Sequence, residues 1–176
     1  MLNWNEIIRQ QKKVLSEDEL MYKMQEISSF FPKYIDEQKK RGFCYQCIHP
    51  MYRGCCKCGK KDDISVKLTW VIESKWLVYS AYSGLEKFEK WSKLYKKNPS
   101  VPNIYCINKR MGEVLDDESL QYVIDKLNTI LDEYAEKYKN KDICECDNSD
   151  DTITDLVKFL KNEKKVYESV RDKRKP

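Results

Sequence analysis

The first forty residues show apolar positions at the spacing of α-helices. Asn3 is a predicted N-cap, and Ser16 and Glu19 form a capping box, in which each side chain satisfies a backbone N–H of the next helix. Pro32 is expected to end that helix or to begin a short third helix that continues to Lys40. The predicted apolar stripes are Trp4, Ile7, Ile8 and Leu15, followed by Leu20, Met24, Ile27 and Phe31.

The period changes in the middle of the chain. Over residues 64–72 apolar side chains occupy alternate positions, which is typical of a strand with one apolar face. Residues 76–82 are predicted to form a second strand, with a charged turn over residues 73–75 between the two. Residues 103–107 and 113–115 are predicted to form further short strands, and Cys106 is expected to lie in the core of that sheet.

Three amphipathic segments alternate with or follow these predicted strands. One begins near residue 85, the second covers residues 118–138 and the third covers residues 152–170. The second has the clearest helical pattern in the chain, and the charged tail after residue 170 is expected to fray. Together with the strands, these helices predict an α+β fold: N-terminal helices, a compact cysteine module, and a small, mainly antiparallel sheet packed by long amphipathic helices. The stripe over residues 118–138 is Leu120, Val123, Ile124, Leu127, Ile130, Leu131 and Tyr134.

Composition limits the chemistry that this chain can perform. Its 176 residues suit one domain, and the single histidine and five glycines exclude a His-Glu-x-x-His site, a Cys2His2 finger and a Gly-x-Gly-x-x-Gly loop. No apolar run is long enough to span a bilayer, and the N-terminus shows no signal peptide. Without such a signal, the eight cysteines indicate a reducing, intracellular setting in the cytoplasm, where metal ligation or free thiols are favoured over disulfides.

Five of the eight cysteines lie between residues 44 and 58 and form a Cys-x2-Cys-x7-Cys-x2-Cys array. Two such turns can place four thiolates at the corners of a tetrahedron, and Gly59 suits the tight turn after the last cysteine. Because the protein fills all four positions, the site is expected to be structural. The sequence therefore predicts one structural Zn²⁺ in a zinc knuckle, with the ligands Cys44, Cys47, Cys55 and Cys58.

Other donors leave the ligand set open. Cys56 could replace Cys55, and His49 could replace Cys47, while Cys144 and Cys146 could contribute from a distant acidic loop. A redox dithiol and a loop of free thiols are the alternatives to zinc. The sequence favours zinc because neither Cys-x-x-Cys turn opens a helix of a βαβ unit, as redox motifs do.

Charge is concentrated at the same place. The net charge of the chain is +4, and residues 39–61 hold seven basic side chains and no acidic one. Cations interleaved with aromatic rings can contact phosphates and stack on unpaired bases. The module is therefore the predicted surface for nucleic acid or for another partner. The predicted binding residues are Lys39, Lys40, Arg41, Tyr45, Tyr52, Arg53, Lys57, Lys60 and Lys61.

Glu73 and Lys75 resemble the Glu-x-Lys pair of metal-dependent nucleases. The aspartates that could complete such a site, Asp62 and Asp63, would lie at the other end of the same predicted strand, about 30 Å away. A charged hairpin turn is therefore the favoured interpretation, and a nuclease is the second alternative function. No catalytic residue is predicted, and Glu73→Gln and Lys75→Ala are expected to leave any activity nearly unchanged.

These patterns predict a non-catalytic, zinc-stabilised binding protein that acts on nucleic acid or on a nucleic-acid-handling complex. The alternative is an inhibitor or adaptor that binds a protein partner, as encoded by phages or mobile elements, since abundant Lys, Asn, Ile and Tyr indicate an AT-rich genome. Neither a membrane nor a small-molecule substrate is predicted as partner. The predicted organisation is an N-terminal helical segment (1–41), the zinc-knuckle module (42–61), a sheet-and-helix body (62–141), and an acidic loop with a C-terminal helix (142–176), all in one compact domain.

Overall fold

The described part of the chain is helical throughout. The computed structural model describes residues 2–44, 58–60, 63–97, 101–138 and 152–175, and none of these residues lies in a strand. The predicted α+β fold with its small antiparallel sheet is therefore wrong. The helices are α1 (Trp4–Lys12), α2 (Glu17–Ser28), α3 (Phe31–Lys40), α4 (Ile64–Ser83), α5 (Leu85–Lys97), α6 (Ile104–Glu113), α7 (Asp117–Tyr138) and α8 (Thr152–Asp172).

The N-terminal helices begin at the caps that the sequence predicts. Asn3 Oδ1 accepts a hydrogen bond from the amide of Asn5 at 2.9 Å, which satisfies one of the free amides at the start of α1. In α2 the capping box is complete. The Ser16 amide donates to Glu19 Oε2 at 2.9 Å, and the Glu19 amide donates to Ser16 Oγ at 3.3 Å. These predictions succeed because a cap depends on residues within one helical turn.

The largest correction concerns α4, which covers the residues predicted as two strands and a turn. The Asp63 side chain caps it by accepting a hydrogen bond from the Ser65 amide at 2.9 Å. This helix packs against α1, α2, α5, α7 and α8. A helix surrounded in this way carries apolar residues on every face, so its 3.6-residue period is hidden. The alternation over residues 64–72 was compatible with a strand but reflected burial on several sides.

Helix α6 replaces the predicted strand over residues 103–107, and it includes Glu113, where the second short strand was predicted to begin. Asn103 caps this helix, since its side chain accepts a backbone hydrogen bond from the first turn at 3.2 Å. Gly112 appears in the sequence as a turn residue, but it lies inside the helix against α8. A Cβ atom added there would be 3.0 Å from Tyr167 Cδ1, so the glycine permits close packing of the two helices.

The C-terminal tail is anchored to the segment that joins α6 to α7. The Arg174 guanidinium donates to the carbonyls of Glu113 and Leu115, each at 2.9 Å. It also pairs with Asp117 at 2.8 Å, at the first turn of α7. The prediction of a frayed tail is therefore wrong for Arg174, because its long side chain reaches carbonyl groups that follow a helix end.

Candidate nucleic-acid interface and metal centre

The C-terminal end of α3 carries three consecutive exposed cations, Lys39, Lys40 and Arg41. The amides of residues 41–43 each donate to a carbonyl of α3 at 3.0 Å, and Gly42 turns the chain with a φ of 74°. These hydrogen bonds satisfy carbonyls that the helix end would leave free. Cations are favoured here because the C-terminal end of a helix carries partial negative charge. The three charges are thus held on an ordered helix end.

Lys60 joins the far end of the cysteine array to this helix end. Its ammonium donates to the carbonyls of Arg41 at 2.8 Å and of Gly42 at 3.4 Å. It also lies 5.0 Å from the ring centroid of Phe43, which the Arg41 guanidinium approaches at 5.2 Å. Lys60 therefore clamps residues 58–60 against residues 41–43. We refer to Lys39, Lys40, Arg41 and Lys60 as the basic end.

The first and the last cysteine of the array lie next to this clamp. Cys44 and Cys58 are half-buried and pack against the hydrophobic core. Each is two residues from a clamp residue, Gly42 in one case and Lys60 in the other. Gly59 has a φ of 73°, the left-handed conformation that glycine adopts most easily, in keeping with a tight turn after Cys58. These two thiols fit half of a tetrahedral sulfur site for zinc.

The remaining predicted ligands and contacts cannot be placed. Among the described residues no cluster of three or more His, Cys, Asp or Glu side chains is present. That finding does not include the second and third cysteines of the array, which lie outside the described ranges. The other predicted residues outside these ranges are Tyr45, Tyr52, Arg53, Lys57 and Lys61, with the alternative ligands His49, Cys56, Cys144 and Cys146; the second and third cysteines are Cys47 and Cys55.

Cys106 does not lie in the core, as had been predicted. It is exposed on the first turn of α6, whereas Ile107 and Met111 of the same helix are buried. The prediction assumed a strand, in which residues two apart share a face. In a helix the apolar positions recur every three to four residues, so Cys106 faces outward.

Sequence reasoning missed a group of charges inside the helical body. Lys23 of α2, Lys75 of α4 and Glu163 of α8 are each 1% exposed. Glu163 pairs with Lys75 and lies 3.5 Å from the Lys23 ammonium, which also contacts Glu26 at 3.3 Å. We refer to Lys23, Lys75 and Glu163 as the buried charge cluster.

The electrostatics of this cluster balance burial against charge. Burial alone would raise the pKa of Glu163, but the ammonium groups of Lys75 and Lys23 outweigh burial and lower it. Burial lowers the pKa of Lys75, although Glu163 opposes that shift. The Phe159 ring adds a partner, with its centroid 5.1 Å from the Lys23 ammonium and 5.9 Å from that of Lys75. The cluster ties three helices together.

A sequence signal for this cluster existed. Glu163 lies three residues after Leu160 and four before Tyr167, so it occupies a position on the apolar stripe of α8. Lys23 likewise directly precedes Met24 on the buried side of α2. A charged residue at a stripe position must have a buried partner, because an unpaired buried charge is strongly destabilising. Identifying the partner required the fold.

The structure also changes the interpretation of Glu73 and Lys75. Both lie inside α4, so the predicted charged turn does not exist. The nuclease interpretation depended on a strand that is equally absent there, and the Lys75 ammonium is engaged by Glu163. Glu73 Oε2 is buried without a hydrogen-bond partner, and burial raises the pKa of Glu73 to about 7.

Within the described residues, no helix combines the length and the apolar character needed to cross a membrane. Comparisons of the chain with protein-family models, with curated proteins and with solved structures find no match.

Proposed function

We propose that this chain is a non-catalytic, zinc-stabilised protein that binds nucleic acid through its basic end. One observation carries the proposal: Lys39, Lys40 and Arg41 are exposed side by side on an ordered helix end. No acidic residue occurs between residues 39 and 61 to neutralise them. Phosphate groups are the natural partners of such a surface, because a fixed group of cations releases the counterions that a nucleic acid carries.

The cations of the basic end have different roles in this proposal. Lys39 and Lys40 are the phosphate contacts. Arg41 divides its guanidinium between Phe43 and the Gln38 side chain, to which it donates a hydrogen bond at 3.3 Å. Lys60 holds the clamp and contributes charge from that position. Phe43 is buried, so stacking on bases would come from Tyr45 and Tyr52.

Zinc has a structural role in this proposal. Cys44, Cys47, Cys55 and Cys58 would hold it, and a site with four thiolates leaves no position for a substrate. The clamp already brings the segments around Cys44 and Cys58 together. The metal would fix the loop between them and thereby position the remaining cations and tyrosines.

The test is the salt dependence of binding to a labelled single-stranded oligonucleotide, followed by fluorescence anisotropy. Lys39→Gln/Lys40→Gln should reduce the slope of log K against log salt by about two units, roughly one for each lost phosphate contact. The matched control is Lys161→Gln/Lys165→Gln, which removes two exposed lysines from α8.

The proposal predicts that the control keeps the slope of the parent. Equal slopes for the parent and the Lys39/Lys40 variant would contradict it. If the parent binds no nucleic acid, the protein-binding adaptor or inhibitor replaces the proposal. A nuclease activity abolished by Glu73→Gln would overturn the non-catalytic assignment.

A further inference from the structure

Lys126 of α7 lies among three aromatic rings contributed by three helices. Its ammonium is 4.7 Å from the ring centroid of Trp70 on α4, 4.9 Å from that of Trp4 on α1, and 5.8 Å from that of Tyr122 on α7. All three distances are within the roughly 6 Å over which a cation is attracted to an aromatic face. We refer to Trp4, Trp70 and Tyr122 as the aromatic cage.

Lys126 is held differently from the other buried cations. Lys23 and Lys75 are paired with Glu163, whereas no carboxylate among the described residues opposes the effect of burial on Lys126. Burial lowers the pKa of the Lys126 ammonium. The rings are therefore its main compensation for lost hydration, and they compensate only in part.

The cage is built and reachable. Trp4 is 5% exposed, and its indole nitrogen is buried without a hydrogen-bond partner. Trp70, Tyr122 and Lys126 are half-buried, so one side of the cage borders solvent. Since α4 packs against both α1 and α7, the rings keep their positions independently of the Lys126 side chain.

An ammonium that carries methyl groups suits this site better than a primary ammonium. Methylation retains the charge but removes N–H groups that prefer water, and aromatic rings around a cation are the usual recognition site for quaternary ammonium groups. We propose that the aromatic cage is a binding site for a quaternary ammonium group and that Lys126 occupies it in the free protein. This site shares no residue with the basic end and does not depend on the proposed function.

The first experiment removes the resident lysine. In Lys126→Ala, titration with tetramethylammonium should shift the indole N–H resonances of Trp4 and Trp70 saturably, with affinity about tenfold or more above that of the parent. Lys126→Met is the matched control, since its side chain keeps the cage filled without a charge and should prevent the shift.

Charge specificity is tested with two ligands of the same shape. Choline should bind Lys126→Ala, and its neutral analogue 3,3-dimethylbutanol should bind about tenfold more weakly. Equal affinities, or a folded Lys126→Ala that shows no saturable shift, would overturn the proposal. Acetyl-trimethyllysine amide identifies the source of the group: tighter binding than choline indicates a methylated side chain, and weaker binding a small free ligand.

A second measurement uses the parent chain and does not depend on the folding of a variant. After reductive methylation with labelled formaldehyde, the dimethyl signal of Lys126 should be displaced upfield by the three rings. Lys126→Met assigns the signal by its absence. A Lys126 methyl signal among those of the exposed lysines would contradict the cage.

Discussion

The basic end and the buried charge cluster both bring lysines together, but they place them in opposite environments. Lys39 and Lys40 point into solvent on a helix end, whereas Lys23 and Lys75 are almost completely buried and share Glu163. Water compensates the exposed charges, which remain available to a partner. The buried charges have only one another, so they stabilise one arrangement of α2, α4 and α8. Exposure therefore distinguishes binding lysines from structural ones.

The largest expected effect comes from removing the shared acid of the buried charge cluster. Glu163→Gln leaves the Lys75 ammonium buried without its countercharge, and we expect the free energy of unfolding to fall by about 3 kcal/mol or more. Urea unfolding at neutral pH measures this. Glu89→Gln, the same change at an exposed position of α5, is the control and should stay within about 0.5 kcal/mol of the parent. Similar losses in both variants would contradict the distinction drawn between the two regions.

Glu73 extends the comparison to a buried acid that lacks a cation. Because burial raises its folded pKa to about 7, above the ordinary value of 4.5, the folded state binds more protons than the unfolded state between these values. The contribution of Glu73 to stability is therefore lost as pH rises through this window. Glu73→Gln should gain stability relative to the parent between about pH 5 and about pH 8. Urea midpoints of both proteins across this range test it, and a constant difference would contradict it.

Lys60 is intermediate between the two regions, since it is exposed but engaged. Lys60→Gln removes the ammonium that holds Arg41 and Gly42, and we expect a loss of about 1 kcal/mol in the free energy of unfolding. Lys39→Gln, at a position without such a clamp, should leave stability within about 0.5 kcal/mol of the parent. Equal effects of the two changes on the urea midpoint would show that the clamp does not stabilise the protein.

The sequence predicted those features that depend on near neighbours. The Asn3 cap, the Ser16–Glu19 capping box and the long helices α7 and α8 follow from spacings within a few turns. It failed for α4, whose burial on several sides removes the amphipathic pattern on which the prediction relied. The order of elements then suggested a sheet.

The two candidate regions differ in the same respect. The basic end was visible in the sequence because Lys39, Lys40 and Arg41 are consecutive. The buried charge cluster and the aromatic cage bring together residues from three helices each, so only the packing of those helices reveals them. Lys60 shows the limit of the first case, since its basic character was evident but its role as a clamp was not.

The central claim is that zinc positions the basic end for nucleic-acid binding. The direct measurement is oligonucleotide affinity before and after a chelator removes the metal from protein expressed with sufficient zinc, with helix content followed by circular dichroism. We predict one zinc per chain, a loss of about tenfold or more in affinity on removal, and recovery when zinc is restored, while most helical signal persists. A chain that carries no zinc, or that binds equally well without it, would contradict the account.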